Sequence, residues 1–172
     1  MFNLIFACVI FGICSYIGFE YGEIFNKRMV QLRGVLKSLI ILQNDVLYAS
    51  IPLPEALDKY SYEVEEPINS FLKGIKEKLI SGSVESVYEG AAEEYLKMKS
   101  SFRLNKCDVK ILGDFFKSLG ESGVFGQEKI FSLAIEGIKM NLKEAEESAK
   151  KNVKLYRYLG VCIGAMLTIF IF

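Results

Sequence analysis

The chain opens and closes on apolar runs, and between them apolar positions recur at helical spacing on a charged background. No side chain carries a charge from Met1 to Phe19, and none does from Tyr158 to Phe172. As helices, Phe2–Phe19 would extend about 27 Å and Tyr158–Phe172 about 22 Å, against a bilayer hydrocarbon core of about 30 Å. The second run finishes on Leu167-Thr168-Ile169-Phe170-Ile171-Phe172, and Tyr156, Arg157 and Tyr158 stand before it as an interfacial anchor. The pattern therefore predicts transmembrane helices over 2–19 and 156–172, with a helical domain over 20–155.

A cleaved signal peptide competes for the first run, but it calls for a basic start and a small-x-small cleavage site. Met1-Phe2-Asn3 and Ser15-Tyr16-Ile17 supply neither, so a retained anchor is expected. Lipid attachment at Cys8 or Cys14 is disfavoured on the same grounds.

Inside the central domain, Val30, Leu32, Val35, Leu36, Leu39, Ile40, Leu42, Val46 and Leu47 line one side of a helix that continues out of the first apolar run. Pro52 and Pro54 break that helix, and Glu55-Ala56-Leu57 opens another. After Pro67, the residues Ile68, Phe71, Leu72, Ile75 and Leu79 predict a third helix. Ser81-Gly82-Ser83 marks a stop and restart, with Ser83 the expected N-cap of a helix carrying Val84, Val87, Tyr88, Ala91, Tyr95 and Leu96. Asn105 and Asp108 read as a further helix start, ahead of Val109, Leu112, Phe115, Phe116 and Leu119, with Gly120 as its C-cap. From Gln127 a long helix is predicted, with Ile130, Phe131, Leu133, Ala134 and Ile138 facing a core. Its Lys143–Lys154 stretch is almost wholly polar and reads as a bridge to the last span. No segment has the two-residue period of a strand. The expected fold class is all-α, a helical bundle flanked by N- and C-terminal transmembrane helices.

Charge adds orientation. Lys plus Arg and Asp plus Glu each number 21, a balance that gives no reason to expect a nucleic-acid partner. Lys27, Arg28, Arg33 and Lys37 follow the first apolar run, and Lys150, Lys151, Lys154 and Arg157 precede the second. By the positive-inside rule the central domain is cytoplasmic and both termini lie outside a multi-pass cell-membrane protein.

The chemistry-bearing residues are sparse. The chain has no histidine, which removes the commonest general base and metal ligand together. Three of the four cysteines fall in the apolar runs, leaving Cys107 alone in the domain, so neither a disulfide framework nor a metal site is expected. No phosphate-binding loop of the P-loop kind is present. Ser70-Phe71-Leu72-Lys73 matches a bare Ser-x-x-Lys, but the companion motifs are missing and a helix start accounts for it. Glu93-Glu94 and Glu146-Glu147 read as solvated surface. The expectation is a protein that is not an enzyme and holds no cofactor.

Two four-residue repeats of small residues stand out: Cys14, Gly18 and Gly22 near one end, Gly160 and Gly164 near the other. Such stripes let helices approach closely in lipid, either within one molecule or between copies in a homo-oligomer.

Gly18-Phe19-Glu20, the basic helix Leu32-Arg33-Gly34-Val35-Leu36-Lys37-Ser38-Leu39 and the segment Tyr48-Ala49-Ser50-Ile51-Pro52-Leu53-Pro54-Glu55-Ala56-Leu57 resemble the stage III sporulation protein AB family. Leu119-Gly120-Glu121-Ser122, Gln127-Glu128-Lys129 and Tyr156-Arg157-Tyr158-Leu159-Gly160-Val161 extend the resemblance over nearly the whole chain. In the Gly123–Gln127 turn, where the family usually has an aspartate, this chain reads Val124-Phe125-Gly126.

The resemblance implies a role in endospore formation, in the channel complex that joins mother cell to forespore. Members are similar to the inner-membrane platform protein of type II secretion and type IV pilus machines, whose helical domains contact a hexameric ATPase. By that analogy the domain would lie on the mother-cell side, dock the ATPase stage III sporulation protein AA, and pass its movements to other channel-complex membrane proteins. The expected docking surface is the turn of Pro52, Leu53, Pro54 and Glu55 with the loop from Gly120 to Gln127, because loops on a rigid scaffold commonly carry recognition. The competing class is a membrane-tethered adaptor that recruits a partner other than an ATPase.

Overall fold

The structure, a computed structural model, describes the backbone of residues 2–121 and 124–171 and the side chains of 9–119 and 126–170. Among the described residues six α-helices follow one another: α1 (Phe2–Gln43), α2 (Leu53–Ser61), α3 (Ile68–Ser81), α4 (Val87–Met98), α5 (Lys106–Glu121) and α6 (Val124–Ile171). No strand occurs among the described residues. Two compact units result, one made of Met1–Met29 with Lys143–Phe172 and the other of Val30–Leu142, so that α1 and α6 contribute to both.

In the Val30–Leu142 unit, α1 buries Leu32, Val35, Leu39 and Leu42, a spacing of three and four residues that keeps one stripe inward. Val30 and Ile40 fall off that stripe and are 41% and 37% exposed, which corrects their expected place in the core. Beyond Gln43 the helix widens into a π turn over Asn44–Tyr48, with the Ala49 N–H donating to the Asn44 carbonyl at 3.1 Å. The chain leaves this turn through Ser50, at φ 53.

Proline sets the start of α2. Pro52 is its N-cap and Pro54 sits in the first turn, where a missing N–H breaks no helical bond. Ala56, Leu57 and Tyr60 then turn inward. Ile68, Phe71, Leu72 and Ile75 bury the predicted face of α3. Gly34 of α1 leaves room for this helix, since a Cβ there would lie 2.6 Å from Ile68 Cδ1.

Helix α3 ends on Gly82 in the left-handed region, with Gly82 N donating to Leu79 O and Ser83 N to Lys78 O. This is a Schellman-type closure. Ser83 therefore terminates α3 and does not start α4, contrary to the sequence expectation. The N-cap of α4 is Ser86, whose Oγ accepts from Glu89 N at 3.1 Å.

The start of α5 is a reciprocal cap. Asp108 N donates to Asn105 Oδ1 and Asn105 N donates to Asp108 Oδ2, both at 2.8 Å. Asn141 of α6 donates to the other Asp108 oxygen at 2.7 Å. Asp108 is fully buried and thereby ties α5 to α6. Phe115 meets Phe131 edge-on at 5.0 Å, and Phe71 packs edge-on against Phe102 and Phe116. Each such buried ring adds a large apolar area and favourable edge-to-face geometry. Leu133, expected in this core, is 61% exposed because the buried stripe of α6 runs through Phe131, Ala134, Ile135 and Ile138.

Candidate functional site

The Pro52–Glu55 turn rests on a polar cluster. Asp45, in the π turn, is largely buried; it accepts from the Tyr60 hydroxyl at 2.8 Å and from Lys59 Nζ at 3.1 Å. The Asp45 backbone carbonyl also accepts from Ile51 N at 3.0 Å, which fixes the residues just ahead of Pro52. The Tyr60 hydrogen bond, with Lys59 assisting, holds the Asp45 carboxyl below the ordinary carboxylate range against the opposing effect of burial. Lys59 is correspondingly raised by its bond to Asp45, and Tyr60 is raised by burial and by the same carboxylate. Above this base Pro52 and Glu55 are exposed while Leu53 and Pro54 are half-buried. Tyr48, 71% exposed, extends the same stretch of chain with an aromatic ring.

The second expected segment is not a loop throughout. Gly120 lies within the last turn of α5, which runs to Glu121, and Gln127 lies in the first turns of α6. The C-cap role expected of Gly120 therefore does not hold. Ser122 and Gly123 fall outside the described residues, as do the side chains of 120–125. No hydrogen bond or ion pair joins Gln127 to Pro52, Leu53, Pro54 or Glu55 among the described residues.

The small residues do meet. A Cβ on Gly18 would lie 2.7 Å from Tyr156 O and 2.8 Å from Gly160 Cα. One on Gly160 would lie 2.9 Å from Cys14 O, and one on Gly164 3.3 Å from Cys14 Cβ. Gly22 faces the Val153 backbone at 3.3 Å. The two helices thus run antiparallel with backbone against backbone in one molecule. Ala145 and Ala149, 1% and 7% exposed, carry the same inward stripe into the stretch expected to be polar on every side. That stretch is amphipathic, with alanine as its apolar face.

Above the glycine contact, Tyr156 stacks on Tyr21 at 6.0 Å and on Phe25 at 5.7 Å. Arg157 lies over the Phe19 ring and donates to Glu23 at 3.0 Å, and Arg28 pairs with Glu144 at 3.5 Å. Beyond it, Val9, Ile13, Tyr16, Ile169 and Phe170 are exposed. Among the described residues one helix, Gly126–Phe170, is long and apolar enough to cross a membrane, with a window of mean hydropathy 1.4 that is only 11% buried. A soluble core helix of that hydropathy would be mostly buried, so the exposed window favours lipid as its surroundings. The first apolar run includes side chains 2–8, which lie outside the described set.

A model of the family described as Stage III sporulation protein AB matches residues 3–172. The chain belongs to the Stage III sporulation protein AB family. Stage III sporulation protein AB of Bacillus subtilis (strain 168) is 25% identical over 167 residues, 97% of each chain. A solved structure of Stage III sporulation protein AB superposes with a TM-score of 0.67 at 22% identity, over 72% of this chain and 97% of its own. The all-α bundle is therefore shared with that structure over the part that superposes, and membership in the Stage III sporulation protein AB family gives the chain a role in sporulation.

Two features escape the sequence pattern. Glu94, expected at a solvated surface, is 3% exposed and lies over Gly74, where a Cβ would meet its Oε1 at 2.8 Å. Its charge is met by Lys97 at 3.1 Å, while the neighbouring Glu93 pairs with Lys78. Gln31 likewise leaves its helix to donate to Ser101 O at 3.0 Å and accept from Arg103 N at 2.7 Å, pinning the α4–α5 connection. Ser70 is engaged as a helix-start residue, its hydroxyl donating to Glu66 at 2.7 Å.

Proposed function

We propose that this chain is a non-enzymatic membrane platform of the channel complex between mother cell and forespore, and that its Val30–Leu142 unit docks the ATPase stage III sporulation protein AA. The observation that carries this reading is the sharing of α1 and α6 between the unit that holds both apolar runs and the Val30–Leu142 helical unit. Those two helices are the elements through which a displacement at a docked ATPase would pass to the membrane. Spans at both ends, a mother-cell domain and outward termini complete the reading, supported by the exposed apolar residues beyond Tyr21 and Tyr156 and by the basic residues flanking them. In the bilayer the contact of Cys14, Gly18 and Gly22 with Gly160 and Gly164 would hold the spans together.

The docking surface in this reading is the Pro52–Glu55 turn, exposed and held from beneath by Asp45, with Gly120 and Gln127 contributing at the α5–α6 junction. The test is binding of stage III sporulation protein AA to the full chain in nanodiscs, with and without nucleotide. Nucleotide-dependent binding is expected, weakened about tenfold by Glu55→Arg, as a charge reversal at an interface commonly does. A folded, inserted chain that does not bind the ATPase in either state would refute the docking and leave the adaptor role.

A further inference from the structure

Helices α4 and α5 of the Val30–Leu142 unit leave between them an open cavity of about 520 Å3. Its floor is apolar, set by Phe71 and Phe116. Along one wall Tyr88, Ala92 and Leu96 repeat every four residues, with Tyr88 45% and Leu96 68% exposed. This row spans about 12 Å at about 1.5 Å per residue, a little over two helical turns.

The opposite wall holds an unexplained glycine. Gly113 sits in the middle of α5, and a Cβ added there would meet nothing within 4 Å. Glycine inside a helix is unfavourable relative to alanine, and one use that offsets this cost is to let a neighbour approach the backbone closely. Among the described residues nothing approaches. Gly18, Gly74 and Gly160 each have such a neighbour, so Gly113 differs from them in having a close-approach residue facing the cavity instead of the protein's own core.

Charge narrows the occupant. Lys110 and Lys117 line the Gly113 wall, both exposed and without an ion pair among the described residues, with Asp114 between them. The Tyr88–Leu96 wall contributes no charged residue to the lining. The two lysines are two turns apart, about 11 Å along the helix. Both walls are helices whose backbone groups are already paired, so an extended peptide laid between them would leave its own N–H and C=O groups unsatisfied. A helix satisfies them internally.

We infer that the α4–α5 groove is a docking site for an amphipathic helix of a partner protein, one that lays an apolar face on Tyr88, Ala92 and Leu96, crosses closely over Gly113, and presents acidic residues two turns apart to Lys110 and Lys117. This inference stands apart from the ATPase reading, whose surface is the Pro52–Glu55 turn with Gly120 and Gln127, none of which lines the groove.

The test uses the full chain in zwitterionic nanodiscs and a fluorescein-labelled synthetic helix of about 18 residues, long enough to cover both walls. Its leucines recur at three and four residues, and glutamates two turns apart flank them; a second version carries lysine for glutamate. Empty nanodiscs give the lipid background for fluorescence anisotropy. The acidic peptide should bind at least about tenfold more tightly than the basic one, and Lys110→Glu with Lys117→Glu should reverse the preference. Gly113→Leu should weaken binding about tenfold or more by filling the groove. The open space at its Cβ lets the variant keep its circular dichroism and melting temperature. Equal binding of both peptides, or binding untouched by Gly113→Leu, overturns the inference. So does a free chain whose self-association Gly113→Leu abolishes, because the groove would then belong to a second copy.

Discussion

The contact between Gly18 and Gly160 can be weighed against Gly12, which lies on α1 with Gly18 and whose Cβ position has no neighbour among the described residues. In Gly160→Ala the added methyl would lie 2.9 Å from both Cys14 O and Gly18 Cα, whereas carbon contacts relax at about 3.5–4.0 Å. Backbone lies on the far side, so no side-chain rotation relieves it, and the helices must separate by about 0.5–1 Å. A gap of that size forfeits about a quarter to a half of each dispersion contact it crosses. Among the described residues Gly12 has nothing within 4 Å of its Cβ position, so Gly12→Ala measures the helix-propensity gain of up to about 1 kcal/mol alone. The difference between the two variants isolates the clash, at about 1–3 kcal/mol, or about 5- to 150-fold in the unfolding equilibrium.

The assay is reversible unfolding of the full chain in mixed micelles of rising denaturing-detergent fraction, followed by far-ultraviolet circular dichroism. Gly18→Ala should cost about as much as Gly160→Ala. The double variant should cost less than the sum, because one separation of the helices relieves both clashes. Gly160→Ala no less stable than Gly12→Ala would refute the packing, and strictly additive losses would refute a shared contact.

Asp108→Ala removes the reciprocal cap with Asn105 and strands the Asn141 amide that bonds it; a loss of about 2–3 kcal/mol is expected by urea titration. Gly74→Ala would press on Glu94 Oε1 at 2.8 Å and should cost about 1–3 kcal/mol, while Gly90→Ala, whose nearest contact is 3.4 Å, should be close to neutral by the same titration. Asp45 has a native pKa below its ordinary 3.8, so its contribution is complete above that value and is lost as acid carries the pH down through the native one. The gap in urea midpoint between wild type and Asp45→Asn should therefore stay constant from neutral pH to about 4 and close below it. A gap that persists undiminished in strong acid would show that Asp45 acts without its charge.

The positions that sequence spacing finds most surely are those where one residue type has one reason to be there. Ile68, Phe71, Leu72 and Ile75 recur at helical period and all are buried, because large aliphatic and aromatic side chains have only the core to go to. Asn105 and Asp108 are polar, three residues apart and ahead of an apolar run, and they cap α5. Ser83 misleads because serine serves either end of a helix: here its hydroxyl and N–H close α3 on Lys78 O, and Ser86 takes the cap. Of the expected docking residues, Pro52 and Pro54 mark the α2 start, and Glu55 stands exposed beside them, whereas Gly120 and Gln127 lie within helices.

Small residues are where spacing says least, because their meaning depends on what lies opposite. Alanine scarcely registers as apolar among Lys143–Lys154, yet Ala145 and Ala149 are the inward face of that stretch. Their smallness is the point, since α6 lies against α1 at backbone distance a few turns later, at Gly160. Glycine is more ambiguous still. Gly18 and Gly160 have a partner within the molecule, Gly82 supplies a left-handed φ, and Gly113 has neither. All four look alike in the sequence, and only the neighbour, or the lack of one, sorts them. The same sorting separates Glu94 from Glu93: adjacent carboxylates on one helix point different ways, so Glu93 reaches outward to Lys78 while Glu94 can be buried only because Gly74 leaves it room. A charge inside this bundle is thus written in the sequence twice, once as the glutamate and once as the glycine twenty residues before it.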